Sequence, residues 1–468
     1  MWTFLALLCL LGAPFIAPIQ PGPAPVRSHS LAIQHVTVID ATGKPAQPDM
    51  TVVLDRDRIE AVTPSKKATI PKNAQILDGS GKFLIPGLWD MHVHGTETPW
   101  SYGLYLANGV VGVRDMWGPE DANAWRAKQA TYGKPAPSIY FASPIIDGPR
   151  PVMKDMIAVA SEAQGREVVD RYKDHGSDFI KVYSLLPRDI YFAIADEAHK
   201  RGIPFAGHVP AAVTAAEASD AGQRSMEHLM GVELACSNQE KTLRGEIPRR
   251  GLLDLMRRDE RALESYDDAK AQPLFARFVK NGTWQCPTLT IERMNAFLDD
   301  PQFRSDDRLK YMPKSEREDW DPAQSPWFKA ATPEDWAAFR IKFQEDLKLV
   351  GRMHRAGVGI IAGTDVLNPY CFPGFSLHDE LALLVEAGLS PMEALQASTK
   401  EAARFMGQLD QRGTIEPGKI ADLVLLDHDP LADIHNSRSI RAVVLGGRLM
   451  PRATLDTMLT QAESSASK

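Results

Sequence analysis

The sequence is poor in cysteine and has no excess of positive charge. Only four of its 468 residues are cysteine and no two are spaced as CxxC, so neither a zinc knuckle nor a disulfide framework is indicated. The net charge of −7 offers no basic surface to nucleic acid or an anionic membrane. A serine or cysteine nucleophile is not indicated either, because there is no GxSxG motif and no cysteine has an identifiable partner. Small molecules or dipeptides are therefore the expected substrates.

A long apolar run is present at the N-terminus. Residues 2–19 are apolar and a proline-rich stretch follows, which is typical of a signal peptide over residues 1–25. This predicts a secreted or periplasmic protein. Because no lysine or arginine precedes the run, an uncleaved membrane anchor is the alternative.

The two ends of the remaining chain share one sequence pattern. Residues 29–85 contain short alternating strands such as "LAIQHVTVID", punctuated by glycine and aspartate, and residues 410–455 repeat the pattern in "IADLVLLDHDP". These segments predict a small β-sandwich built from both ends of the chain. Residues 456–468, which end in "QAESSASK", are expected to form a disordered tail.

Between these ends, residues 86–409 alternate short apolar strands with helical patterns. Eight strands followed by helices predict an α/β fold, a parallel (β/α)8 or TIM barrel. The predicted strands are 87–94, 109–115, 138–147, 178–184, 203–209, 224–230, 283–290 and 358–365.

Ionisable side chains occur at the carboxyl ends of these strands, where barrels carry their chemistry. A lone histidine at a strand end is usually a cap or a core residue, but several ligand-type residues at equivalent positions predict a metal centre. The candidate ligands are His92, His94, Lys181, His208, His228 and Asp365. Asp90 shares a strand face with His92 and His94 and would hold an imidazole or cap the turn.

Lys181 is the unusual member of this set, because an ammonium group does not bind a cation. It fits if CO2 converts it to a carbamate, an anion that can bridge two metal ions. The alternative is an ordinary lysine paired with Asp178 or another nearby carboxylate.

Together these motifs resemble the amidohydrolase superfamily. They are similar to its imidazolonepropionase-like branch, which includes prolidase-like and Xaa-Arg-type dipeptidases and ochratoxin amidohydrolase. The motifs are "GLWDMHVHG", "FIKVYS", "FAGHVP", "MEHL", "IAGTD", "HDELALLVEAGLSPMEALQAST" and "GTIEPGKIADLVLLD". The resemblance implies a distorted TIM barrel with a small β-sandwich, and a homo-oligomer.

The resemblance also implies a division of the ligands between two divalent metal ions. Zinc is expected from the nitrogen and carboxylate donors, although manganese or cobalt would also suit them. A hydroxide shared by the two ions would attack an amide carbonyl, and Asp365 would act as the catalytic residue that passes the proton to the leaving nitrogen. The sets are His92, His94 and Asp365 for the first ion and His208 and His228 for the second, with carboxylated Lys181 as the bridge.

Three further residues are candidates for substrate binding. Tyr183 shares a face with Lys181, so its hydroxyl could bind a substrate carboxylate or carbonyl; core packing is the alternative. Arg114 could pair with a substrate carboxylate or with a neighbouring acid such as Asp115. His378 follows the last barrel strand and could bind substrate or cap the next helix.

The expected function is metal-dependent hydrolysis of non-cyclic amide bonds, as in a dipeptidase, a prolidase-like enzyme or an N-acyl amino acid hydrolase. A one-metal cyclic-amide hydrolase or deaminase is the second interpretation, and an inactive binding protein on the same fold is the third. Two long connections, 231–282 and 291–357, would carry specificity. In the second, Trp320, Trp327 and Trp336 would line a pocket or pack an inserted helix pair.

Overall fold

The computed structural model describes residues 30–318 and 320–467. The predicted signal peptide or anchor at residues 1–25 lies outside these ranges. Across the described residues, none of the helices combines the length and the apolar character that a membrane crossing needs.

Strands and helices occur throughout the described residues, from Leu31 to Ala466. The strands are β1 (Leu31–Val38), β2 (Gln47–Asp55), β3 (Arg58–Pro64), β4 (Gln75–Asp78), β5 (Phe83–Pro86), β6 (Leu88–Val93), β7 (Val110–Asp115), β8 (Ser138–Phe141), β9 (Ile146–Asp147), β10 (Ile157–Ala158), β11 (Ile180–Val182), β12 (Phe205–Gly207), β13 (Ser225–Glu227), β14 (Trp284–Cys286), β15 (Leu423–Leu426), β16 (Ile440–Leu445) and β17 (Arg448–Pro451). The α-helices are α1 (Tyr102–Ala107), α2 (Ala122–Ala130), α3 (Glu162–Asp174), α4 (Arg188–Arg201), α5 (Ala215–Asp220), α6 (Val232–Ala235), α7 (Glu240–Arg244), α8 (Leu252–Glu264), α9 (Asp268–Asn281), α10 (Leu289–Phe297), α11 (Lys314–Arg317), α12 (Pro333–Arg355), α13 (Phe375–Glu386), α14 (Pro391–Ala397), α15 (Lys400–Phe405) and α16 (Arg452–Ala466).

One eight-stranded sheet unites the two ends of the chain. Its order is β17-β16-β15-β5-β1-β2-β3, with β4 paired to β1. β5 makes the junction, because it pairs in parallel with β1 and antiparallel with β15. Apolar side chains from both ends, such as Ile33, Val36, Leu423 and Leu425, form one buried cluster. The alternating patterns at the two ends of the sequence therefore belong to a single sheet.

The C-terminal residues contradict the prediction of a disordered tail. Arg452–Ala466 form helix α16, in which Leu455 is fully buried. Met458 and Leu459 pack against the main core, and Gly103 of α1 lies close to the Met458 backbone. Apolar residues spaced three and four apart thus form a narrow stripe, which the polar ending of the sequence obscured.

Parallel strands with intervening helices form the middle of the chain, as predicted. One sheet has the order β6-β7-β8 and another has the order β10-β9-β11-β12-β13-β14. The eighth predicted strand, 358–365, is not a regular strand, but this segment and its neighbour Val366 make parallel bridges on both sides. The bridges that connect the sheets join Ala142 to Phe179, Gln285 to Ile360 and Val366 to Val93.

The two long connections are helical and packed. The first contains α6 to α9, and the second contains α10 to α12. Trp320 and Trp336 are 5% and 8% exposed, and their rings contact other aromatic rings of the protein. Packing, rather than an open pocket, therefore accounts for these two tryptophans, whereas Trp327 is exposed.

Candidate metal centre

Four imidazoles form a row at the carboxyl ends of the barrel strands. The ring centres of His94 and His92 are 5.2 Å apart, those of His92 and His228 4.6 Å, and those of His228 and His208 5.0 Å. Asp365 Oδ1 lies 3.0 Å from His94 Nε2 and 3.2 Å from His92 Nε2. The structure thus brings together five candidate ligands that are spread over 274 positions of the sequence, from His92 to Asp365.

Lys181, on β11, is almost completely buried. Burial lowers the pKa of its amine to about 8, against the opposing effect of the negative charges on Glu227 and Asp365. Asp178, the partner that the sequence offered for an ordinary lysine, instead accepts a hydrogen bond from Arg126 at 2.6 Å. Among the described residues, no carboxylate forms a salt bridge with Lys181.

Three of the imidazoles are anchored through Nδ1 by side chains from other strands and loops. Such contacts fix the orientation of a ring and leave Nε2 to face the centre of the site. The Nδ1 contacts are His92 to Glu227 Oε2 at 2.8 Å, His228 to Thr288 Oγ1 at 2.7 Å and His208 to Ser184 Oγ at 2.8 Å.

The partners of Nδ1 determine where each ring carries its proton. The Glu227 carboxylate can only accept, so His92 donates from Nδ1. The Thr288 hydroxyl donates to the Pro287 carbonyl at 2.7 Å and therefore accepts from His228. In the neutral form of each ring, Nε2 then carries the lone pair.

These donors suit a divalent metal ion. His92 Nε2 is buried and, within the described residues, makes no well-aligned hydrogen bond. Burial lowers the pKa of His228 to about 3 and holds that of His208 well below its usual value, so both rings are neutral. Burial alone would raise the pKa of Asp365, but the adjacent His228 and His92 keep it well below its ordinary range. Neutral imidazoles beside an ionised carboxylate are the ligands that zinc takes in proteins.

Asp90 stabilises the backbone around Asp365 and does not hold an imidazole. Its carboxylate accepts hydrogen bonds from the Thr364 amide at 3.1 Å and the Thr364 hydroxyl at 2.6 Å. It also accepts from the His92 amide at 3.3 Å. Asp90 thus links β6 to the segment that carries the aspartate ligand.

Two of the predicted substrate-binding residues are buried and make their hydrogen bonds inside the protein. Arg114 is fully buried, and its guanidinium donates to Glu227 at 2.8 Å. His378 is buried in α13, with Nδ1 2.9 Å from Ser437 Oγ and Nε2 3.0 Å from the Asn108 carbonyl oxygen. The substrate-binding predictions for Arg114 and His378 are therefore corrected, because both side chains are occupied inside the protein.

Tyr183 lies beside the row of imidazoles. Its ring stacks on His208, with ring centres 3.9 Å apart and planes inclined by 29°. Burial raises the pKa of its hydroxyl well above the usual value, so the group is a neutral donor. Because Tyr183 lies next to the candidate ligand His208, a contact between its hydroxyl and a substrate stays a prediction.

Sequence reasoning missed the anchoring residues Glu227, Thr288 and Ser184. Glu227 had a signal: it is a charged residue in a short apolar strand and directly precedes His228. Strand alternation also gives it the same face as Ser225. Thr288 and Ser184 had no comparable signal, since hydroxyl residues are common in loops.

Comparison with solved structures defines the fold class. Bottromycin amidohydrolase superposes with a TM-score of 0.72 at 24% identity, over 95% of this chain and 91% of that protein. A Xaa-Pro dipeptidase gives 0.65 at 19% identity, over 90% and 100%. A. niger ochratoxinase gives 0.65 at 18% identity, over 91% and 96%. The predicted α/β fold, a barrel with a β-rich domain, is confirmed.

Sequence comparison then identifies the family. The profile of the Amidohydrolase family matches residues 186–450, more than half of the chain, and the protein therefore belongs to this family. Ochratoxinase from Aspergillus niger is 33% identical over 121 residues, which are 25% of this chain and 24% of that protein. Imidazolonepropionase from Deinococcus deserti is 43% identical over 84 residues, 18% of this chain and 21% of that protein. The matched segments thus span about a quarter or less of these curated relatives.

Proposed function

We propose that the protein is a hydrolase of non-cyclic amide bonds that holds two divalent metal ions, preferably zinc, and cleaves dipeptides or N-acyl amino acids. The observation that carries the proposal is the row of four imidazoles around Asp365, with Nδ1 anchored in three of them and a buried lysine nearby. The proposed ligands are His92, His94 and Asp365 for one ion and His208 and His228 for the other, with a CO2-derived carbamate on Lys181 between them.

The chain's own groups have distinct roles in this proposal. The metal ions would supply an activated water molecule and polarise the amide carbonyl. Asp365 is ionised and lies within the row of imidazoles, so its carboxylate accepts a proton from the water and returns it to the leaving nitrogen. Tyr183 presents a neutral hydroxyl beside His208 and donates to a carbonyl or carboxylate oxygen of the substrate.

The relatives support linear amide bonds as substrates. The structural neighbours include a Xaa-Pro dipeptidase and bottromycin amidohydrolase, and a sequence relative is ochratoxinase. A one-metal cyclic-amide hydrolase or deaminase is the second candidate. It is favoured by the imidazolonepropionase match and by the compact set of His92, His228 and Asp365, whose ligand atoms lie within 4.8 Å of one another.

Metal content and activity tests distinguish the candidates. The full chain is purified without chelator, its metal is measured, and hydrolysis of dipeptides, N-acyl amino acids and cyclic amides is compared. About two ions per chain, with a fall in Lys181→Ala but not in the exposed control Lys200→Ala, support the proposal. One ion that is unaffected by Lys181→Ala supports the one-metal candidate. A metal-free, inactive protein would support a binding function instead.

The N-terminal apolar run also predicts export to the periplasm or the medium, and the family resemblance implies a homo-oligomer. Cell fractionation tests the first prediction, with membrane-bound protein indicating an uncleaved anchor. Light scattering of the purified protein tests the second, and a monomer would contradict it.

A further inference from the structure

A buried arginine and a buried glutamate connect three barrel strands around His92. Arg114 lies on β7, Glu227 on β13 and His92 on β6, and all three side chains are fully buried. Glu227 Oε2 accepts from Arg114 Nη2 and from His92 Nδ1, each at 2.8 Å. One carboxylate oxygen thus accepts hydrogen bonds from both a guanidinium and an imidazole.

The position of Arg114 is itself tightly determined. Its Nη1 donates to Ser225 Oγ at 2.9 Å and its Nε donates to the Met91 carbonyl. The guanidinium carbon lies 4.9 Å from the centre of the Phe405 ring and 5.6 Å from that of Phe179. A cation fixed in this way keeps the glutamate ionised and in one place.

Stability alone does not explain this buried ion pair. The desolvation of two charges roughly offsets their attraction, and apolar side chains of similar volume often stabilise a core equally well. What an apolar pair cannot provide is an anionic acceptor at a defined position. The ion pair should therefore be judged by its effect on His92.

His92 lies between two carboxylates, and its proton can go to only one of them when the ring is neutral. Glu227 Oε2 is 2.8 Å from Nδ1, and Asp365 Oδ1 is 3.2 Å from Nε2. A proton on Nε2 would point at Asp365 and occupy the nitrogen that a metal ion needs. A proton on Nδ1 leaves Nε2 with its lone pair directed at the site.

We propose that Arg114 and Glu227 are positioning residues that hold His92 in the tautomer protonated at Nδ1 and so keep Nε2 available to a metal ion. The metal-binding part rests on the proposed function, whereas the choice of tautomer does not. The two parts can therefore fail separately.

Nitrogen NMR of the full chain labelled at histidine tests the tautomer directly. The His92 signals are those absent from His92→Asn, and in the metal-free wild type they should show a protonated Nδ1. Glu227→Leu removes the acceptor, so His92 should shift towards protonation at Nε2. Glu227→Gln retains an acceptor oxygen and should preserve the wild-type tautomer. A wild-type His92 protonated at Nε2 would overturn the proposal.

Zinc affinity, measured by competition with a chromophoric chelator, is the second readout. Glu227→Leu should weaken zinc binding about ten- to a hundredfold, and Glu227→Gln less. The matched control is Asp379→Asn, which alters another buried carboxylate whose partners are Arg293, Arg308 and Arg438. This control should destabilise the fold without changing the His92 tautomer or zinc affinity.

The outcomes separate the two proposals. Wild-type zinc affinity in a folded Glu227→Leu protein overturns the positioning role. If Glu227→Leu does not fold, Arg114→Lys and Glu227→Gln are compared with the control Asp379→Asn. Equal effects of these three substitutions on zinc affinity would also overturn the positioning role. A wild type that binds no zinc but keeps His92 protonated at Nδ1 contradicts the proposed function, not the positioning of the ring.

Discussion

Lys342 neutralises a buried acidic cluster that joins the two inserted helical segments. Its Nζ lies 2.7 Å from Asp346, 3.0 Å from Glu292 and 3.1 Å from Glu233. Glu233 belongs to α6, Glu292 to α10 and the other two residues to α12, and none of these side chains is more than 9% exposed. Lys342→Met preserves most of the volume but leaves the three acids without their shared cation.

We expect Lys342→Met to lower the free energy of unfolding by about 3–5 kcal/mol near neutral pH, because an uncompensated buried charge is costly. Burial raises the pKa of Asp346 to about 7, against the lowering effect of Lys342. A folded pKa above the unfolded value means that the contribution to stability is complete below the unfolded pKa and is lost as the pH rises through about 7. Without Lys342 this pKa rises further, so the loss should be largest in alkali and shrink in acid.

Denaturant unfolding of both proteins near pH 8 and near pH 5.5 provides the measurement. The control is Lys348→Met on the same helix, which breaks an exposed salt bridge to Glu345 and should cost less than about 1 kcal/mol. A loss below about 1 kcal/mol for Lys342→Met in alkali, or an equal loss at both pH values, would refute the reasoning.

Three other substitutions or treatments test the site. Asp365→Asn should lower turnover at least about a hundredfold with little change in KM, and near-normal turnover in steady-state kinetics would exclude the proton-transfer role. Tyr183→Phe retains the stack on His208 but loses the hydroxyl, so KM should rise severalfold, and an unchanged KM would assign Tyr183 to packing. Removal of metal by a chelator should lower the unfolding free energy by about 3–4 kcal/mol if the ion was present at 100–1,000 times its Kd, and an unchanged melting curve would contradict metal binding.

The barrel could be predicted because its strands are short apolar runs, buried on both sides, with polar residues at their carboxyl ends. β6, β7 and β11 lie inside predicted segments for this reason. The segment 358–365 has the same apolar pattern, but it contains Gly359 and Gly363, which pass close to Trp284 and His92. The segment makes isolated bridges instead of a regular strand, and glycines in a strand often mark such a close approach of backbone to a neighbour.

The contacts around the metal ligands could not be predicted in the same way. His92 and Glu227 are separated by 135 positions and lie on strands of different sheets, so only the tertiary fold brings them together. Arg114 was identified as a functional candidate by its place at a strand end, but its direction depends on packing against Phe179 and Phe405. The position of a residue along a strand therefore predicts where the active site lies. Which buried polar groups pair with each other can be read only from the three-dimensional structure.

The Lys342 cluster also connects the insertions to the site. α6 begins four residues after His228, and α10 begins directly after Thr288, whose hydroxyl anchors the His228 ring. Loosening these two helices should therefore disturb the orientation of His228 without touching a substrate. For this reason Lys342→Met should lower turnover and zinc affinity together with stability, whereas Lys348→Met should leave turnover and zinc affinity unchanged. Normal turnover in a destabilised Lys342→Met protein would show that the insertions fold independently of the site.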